Sequence, residues 1–262
     1  MFRIFKSLWS ELTLAPPTPS TNVNAIDQNS IPPQRRPGEY PPSFELSERS
    51  APLGRPVTMN DAVGSLFGKL RMCLDYVTRR GGLLAVGAGV VGVFARTRPG
   101  LDDPDVQMHF IPFSTDKMGT ELHRFSGFTT TLNQSRPQSR GRLRLRSPDP
   151  AAAPSMVANY LAEEVDRQTT IDGLKLVRRI AQQPSLKDWI GAEIAPGPAV
   201  RSDADLLAFA KQNGGSVYHP VGTCKMGPEH DGMAVVDAEL RLRGIQGLRV
   251  ADASVMPQVV SG

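Results

Sequence analysis

At 262 residues the chain is long enough to bury the core of one large domain or two small ones. A hydrophobic share of 40%, a mean hydropathy of -0.25 and a net charge of +4 describe an ordinary soluble composition that does not demand nucleic acid as a partner. Two cysteines, Cys73 and Cys224, are too few for a disulfide framework and point to a reducing, cytoplasmic setting. No apolar run reaches the roughly 18 residues of a membrane span, and Gly81 to Ala95, the longest candidate, is broken by five glycines.

Residues 1–56 read as disordered or unrelated to the rest of the chain, because ten of the 23 prolines fall between Pro16 and Pro56 and no apolar period is sustained. Met1 to Trp9 mixes basic and apolar residues and is expected to be a frayed tail rather than a signal or a short surface helix. From Asn60 or Asp61 a helix is expected. Val63, Leu66, Phe67, Leu70, Leu74 and Val77 recur at helical spacing, and Arg79-Arg80-Gly81-Gly82 supplies the exit.

Gly87-Ala88-Gly89-Val90-Val91-Gly92 fits the spacing of a dinucleotide loop after the strand-like Leu83 to Val86. Such a loop works by opening a helix whose N-terminus faces the phosphates. Only Val93 to Arg98 separate Gly92 from Pro99-Gly100, too few residues for that helix, so a glycine-rich turn between sheet elements is expected. Asp105 to Ile111 alternates as a strand, and Phe128 to Asn133 is β-branched. Arginines at 140, 142, 144 and 146 alternate with Gly141, Leu143 and Leu145, which predicts a solvated strand face charged against edge pairing. After Pro154 a helical stretch is expected through Val157, Leu161, Val165, Leu174, Val177 and Ile180, and a shorter helix over Asp203 to Gln212 capped by Ser202 or Asp203. Short strands at Leu240-Arg241-Leu242 and Leu248-Arg249-Val250 close the chain. Strands first and helices next argue an α+β fold built on an antiparallel sheet with flanking helices.

His219, Cys224, His230 and Asp231 have ligand chemistry, but their spacing matches no zinc pattern and no metal site is expected. His219 precedes Pro220, which holds it extended, and Gly222 then turns the chain. A histidine on such a turn projects into a cleft or serves as a structural turn residue.

Three runs decide more. Tyr218-His219-Pro220-Val221-Gly222-Thr223-Cys224-Lys225-Met226-Gly227, then Ala234-Val235-Val236-Asp237, then Gly247-Leu248-Arg249-Val250-Ala251-Asp252-Ala253-Ser254-Val255-Met256-Pro257 together resemble the C-terminal part of the glucose-methanol-choline (GMC) oxidoreductases, choline and alcohol dehydrogenases in particular. Weaker similarity extends back through Ser135 to Gly141 and Pro104 to Gln107 to about residue 57. The resemblance implies a substrate-binding domain over residues 57–213 and, over 214–262, part of an FAD-binding domain.

It also implies a chemistry: FAD-dependent oxidation of a small alcohol, with His219 as the base for the hydroxyl proton and Val221, Asp252 and Ala253 against the cofactor. An imidazole suits that role because it exchanges protons near neutral pH, and such assistance is worth about 10²–10⁴-fold in rate. The family begins with a glycine-fingerprint half that residues 1–56 do not resemble, and it continues past the Ser261-Gly262 position with an asparagine-containing segment. The chain is therefore expected to be an incomplete, inactive piece of such an enzyme. The competing expectation is a non-catalytic binding module that keeps the substrate-domain fold.

Overall fold

Five strands pair into one antiparallel sheet, and the helices over Glu164–Ala181 and Asp203–Asn213 pack against it. The computed structural model describes residues 43–48, 58–85, 87, 89–116, 121–187 and 189–260. Its elements are β1 (Ser43–Glu48), α1 (Met59–Gly64), α2 (Leu66–Arg79), β2 (Val91–Ala95), β3 (Val106–Ile111), β4 (Gly127–Gln134), β5 (Arg142–Arg144), β6 (Ser155–Val157), α3 (Glu164–Ala181), α4 (Pro184–Lys187), β7 (Ile190–Ala195) and α5 (Asp203–Asn213). Among the described residues no helix is long and apolar enough to cross a membrane. The described residues divide into two units, a larger one within 33–139, 160–221 and 256–262, and a smaller one within 140–159 and 222–255.

In the larger unit the strand order is β2-β3-β4-β1-β7, every neighbouring pair antiparallel. Val106 and Met108 of β3 and Leu132 of β4 are buried with Ile171, Leu174 and Val177 of α3 and Leu206 and Ala210 of α5. Each fully buried aliphatic side chain of this kind contributes about 1.5–3 kcal/mol. Gly173 lets α3 approach the sheet: a Cβ there would lie 2.7 Å from Leu132 Cδ2. Arg178 of α3 donates to both carboxylate oxygens of Glu193 in β7 and to the Gly197 carbonyl, which fixes the helix to the sheet's edge strand. α5 starts where the sequence places it, with Ser202 Oγ accepting the Asp205 N–H at 3.1 Å.

Four segments differ from expectation. Ser43 to Glu48, inside the stretch read as linker, forms β1 between β4 and β7. The prolines around it mask a short alternating run whose partners are distant in sequence. The rest of 1–56, including Met1 to Trp9, lies outside the described residues. The helix expected from Asn60 is broken at Ser65, whose hydroxyl accepts the Gly68 N–H and caps α2 anew. The cap on α1 is Thr58, which donates to Asp61 through its N–H and hydroxyl. The apolar stripe of α2 is not core: Leu66 and Phe67 are 86% and 76% exposed, and Leu70, Leu74 and Val77 are exposed too.

The stretch after Pro154 is not helical until Glu164. Ser155 to Val157 is strand β6, paired with β5, and Asn159 and Leu161 adopt left-handed backbone that breaks the helical period. β7, which the sequence reading did not single out, completes the sheet.

In the smaller unit β5 and β6 form a two-stranded ladder with Arg142 and Arg144 exposed. The expected strands at 240–242 and 248–250 are single bridges, Val236 with Leu242 and Arg241 with Arg249, within a turn-rich run. Cys224, Val236, Val250 and Val255 form its buried centre.

Candidate functional site

The histidine-bearing segment leaves α5 through Gly214 and Gly215 and runs along the larger unit. Ser216 Oγ accepts the Tyr218 N–H at 2.9 Å. Tyr218 sits in left-handed backbone (φ 60) and Gly222 likewise (φ 89), with His219 and Pro220 between. Tyr218, His219 and Pro220 are exposed, and Val221 is half-buried. The ring of His219 is thus carried on an elbow and not packed in the core.

Asp252 and Ala253 belong to the smaller unit, both exposed at the start of a 3-10 turn, Ala253–Val255. Asp252 Oδ1 accepts the Ser254 N–H at 2.8 Å and the Asp252 carbonyl accepts the Val255 N–H. The turn is held to the preceding motif by backbone bonds, Cys224 N–H to Ser254 O at 3.0 Å and Met226 N–H to Val255 O at 2.8 Å. The first and third sequence runs are therefore one interlocked element from Cys224 to Val255. The middle run joins them: the Val235 N–H donates to Lys225 O, and Arg243 Nη2 donates to the Gly227 carbonyl.

Side chains brace the same element. Lys225 donates to Asp231 at 2.7 Å, and this bond, with help from the Met233 N–H, holds the Asp231 carboxyl below the usual range. Asp237 is held below its usual range by the Arg241 guanidinium and the Arg241 N–H. His230 is exposed. Among the described residues no group of three or more His, Cys, Asp or Glu is placed to hold a metal ion.

Gly92 begins no helix: Val91–Ala95 is strand β2 after a 3-10 turn at Leu83–Ala85, so no helix N-terminus faces a phosphate there. A cleft of about 270 Å³ lies elsewhere in the larger unit, lined by Arg98, Asp102, Asp105, Gln134, Arg136 and Asp166 among others, and it contains none of His219, Val221, Asp252 and Ala253. It is smaller than a typical cofactor pocket of about 300–1,000 Å³.

The sequence reading missed a second histidine array. His123 Nδ1 lies 3.1 Å from Ser114 Oγ and Nε2 lies 3.0 Å from Asp116 Oδ1. The residue types are those of a hydrolytic triad. Ser114 is fully buried, so no substrate reaches its hydroxyl. The array instead clamps the segments either side of Asp116, together with buried Asn60, whose side chain binds Ser114 N–H, Ser114 O and His123 O.

Similarity to known proteins converges on one family. Residues 137–262 match the family model described as GMC oxidoreductase. Over those residues the chain is similar to GMC oxidoreductases. The chain is 43% identical over 169 residues to oxygen-dependent choline dehydrogenase 1 of Chromohalobacter salexigens, covering 64% of this chain and 30% of that protein. It is 36% identical over 208 residues to oxygen-dependent choline dehydrogenase of Serratia proteamaculans, covering 79% of this chain and 37% of that one. The chain thus spans about a third of the length of these curated relatives.

Among solved structures, a formate oxidase matches with a TM-score of 0.72 at 21% identity over 85% of this chain and 42% of that one. Pyridoxine 4-oxidase from Mesorbium loti matches with a TM-score of 0.63 at 22% identity over 86% of this chain and 39% of that one. These likenesses establish the fold, an α+β architecture on an antiparallel sheet. All of His219, Val221, Asp252 and Ala253 fall inside the GMC-matched residues.

Proposed function

We propose that this chain supplies the base-bearing, substrate-side portion of an FAD-dependent alcohol oxidation. The observation that carries the reading is the exposed His219 on its elbow, inside a region that matches the GMC family and shares 36–43% identity with choline dehydrogenases. The substrate class is a small alcohol, choline being the one the relatives' names provide.

In this chemistry the alcohol carbon gives up a hydride, for which FAD is the acceptor, and the hydroxyl proton goes to His219, leaving a carbonyl product. His219 binds the hydroxyl as an acceptor in its neutral form and holds the proton as the carbon–oxygen double bond forms. Val221, adjacent on the same elbow, offers apolar contact. Asp252, whose Oδ1 accepts the Ser254 N–H, and Ala253 are the exposed residues that would contact the cofactor, the carboxylate as a hydrogen-bond acceptor.

Within its own unit none of these residues lies in an enclosed pocket: all but the half-buried Val221 are exposed, and the described cleft holds none of them. The same fact favours a second reading, a non-catalytic binding module that keeps the fold. The proposed setting is the cytoplasm, in keeping with the unpaired Cys73 and Cys224.

The test is a flavin titration followed by an alcohol assay. The chain alone binds FAD weakly or not at all. Joined with a polypeptide equivalent to the unmatched two thirds of a choline dehydrogenase relative, it acquires yellow colour and alcohol-dependent acceptor reduction. Partner binding without any turnover, across choline and simple primary alcohols, would leave the module reading in its place.

A further inference from the structure

We infer that, beyond the reaction assigned to His219, the outer face of α2 is a self-association surface on which a second copy of this chain lays its own α2 antiparallel. Leu66, Phe67, Leu70, Leu74 and Val77 share one side of the helix and are 86%, 76%, 60%, 59% and 68% exposed. Neither buried cluster contains any of the five. The opposite side is the one that faces the chain. Met72 is buried there, and Gly68 sits so close to the Ala62 carbonyl of α1 that a Cβ would collide with it. A single exposed leucine is ordinary, whereas a contiguous apolar stripe marks a face that another surface covers.

Size and spacing select the occupant. With residue areas of about 160–200 Å², these exposures leave roughly 600 Å² on one copy, so a two-fold pair buries at most about 1,200 Å², the lower edge of a stable interface. A two-fold contact needs a face that complements itself. In an antiparallel pair centred near residue 72, Leu70 of one copy meets Leu74 of the other, and Leu66 and Phe67 meet Val77. The same arrangement opposes the two helix dipoles and sets the Arg79-Arg80 ends apart.

The rim of the stripe is polar, as interface rims are. Arg71 and Arg79 each lie 3.9 Å from Asp75 along the same helix. Lys69, Arg71, Arg79 and Arg80 outnumber Asp75, so the rims of two copies repel and added salt tightens the pair. An acidic partner at this face would instead be released by salt.

The test is sedimentation velocity of the purified full chain over a dilution series, with reductant present to exclude a Cys73 disulfide. The expected result is a dimer with a dissociation constant on the order of 1–100 μM, as suits an interface of this size, and lower at high salt. Leu70→Glu and Leu74→Lys each weaken the dimer by at least about tenfold. Mixed in equal amounts the two variants recover it, because residue 70 of one copy meets residue 74 of the other and the opposite charges pair. Met233→Glu, at an exposed apolar position of the smaller unit, leaves it unchanged. Urea unfolding in dilute protein, where the pair has come apart, reads the fold of each variant separately from its association.

A wild type that stays monomeric at about 100 μM overturns the inference. So does a dimer that Leu70→Glu leaves intact, or a mixture of the two variants no more associated than either alone. Growth beyond a dimer overturns it too, since a two-fold contact closes on itself. If the chain is monomeric and Leu70→Glu blocks its union with the complementing polypeptide, the face belongs to that polypeptide and not to a second copy.

Discussion

Asp166 offers a sharp test of how the larger unit holds the segment that precedes β5. Its carboxylate is 2% exposed and accepts three contacts from two backbone donors: Gln138 N–H at 2.9 and 3.1 Å and Ser139 N–H at 2.6 Å. Hydrogen bonds to a charged group are worth about 1.5–3 kcal/mol each, so two donors set an upper bound of about 3–6 kcal/mol for Asp166→Ala. Two effects reduce it. The buried carboxylate loses hydration in folding, a cost the variant escapes. Gln138 is exposed and Ser139 half-buried, so water reaches the orphaned donors.

The net expectation is a loss of about 2–4 kcal/mol. Asp166→Asn keeps the shape but turns an NH₂ group or a neutral oxygen towards the two N–H donors, and it is expected to recover no more than half of that loss. Urea unfolding of the wild type and both variants, fitted with a common m-value, measures the differences. A loss below about 1 kcal/mol in Asp166→Ala at unchanged m would refute the view that this carboxylate anchors residues 138–139.

Burial and charge set the other expectations. Leu174→Ala, at a fully buried position between α3 and the sheet, is expected to cost about 2–5 kcal/mol in the same assay, whereas Leu70→Glu on the exposed stripe of α2 stays within about 0.5 kcal/mol. If Leu70→Glu proves as costly as Leu174→Ala, the α2 stripe is core after all. Asp231 and Asp237 have carboxyls held below the usual range by Lys225 and Arg241. A depressed folded pKa means stability present above the unfolded carboxylate value of about 3.9 and lost as pH falls through the lower folded value. Acidification from pH 5 should therefore weaken the smaller unit below about pH 4. The Asp231→Asn, Asp237→Asn double variant should show a flatter loss in thermal melts; identical pH profiles would contradict this.

The sequence made the sheet readable only where each strand carried its own pattern. Val106 to Ile111 alternates, Phe128 to Asn133 is rich in β-branched residues, and Ser202 announces α5 by its cap. β1 and β7 owe their pairing to partners far along the chain, which no local window contains. Val157, Leu161 and Val165 keep helical spacing by coincidence, because the left-handed Asn159 and Leu161 stand inside the run. For α2 the period was legible and the destination was not: spacing tells which residues share a face, never what that face meets.

At the site, the expectation for His219 and Asp252 came from the family resemblance of their runs and not from residue type, and the interlock of Cys224 with Ser254 gives the reason two remote runs occur together. The left-handed Tyr218 carries no signal of its own, since tyrosine has no preference for that backbone.

The most direct measurement of the central claim is anaerobic single-turnover flavin reduction in the chain joined with its complementing polypeptide, comparing wild type with His219→Ala. With saturating alcohol, bleaching of the flavin absorbance in the variant should be slower by about 10²–10⁴-fold, while binding of the alcohol changes little. Bleaching at the wild-type rate in His219→Ala, with flavin bound to the same extent, would contradict the assignment of His219 as the base.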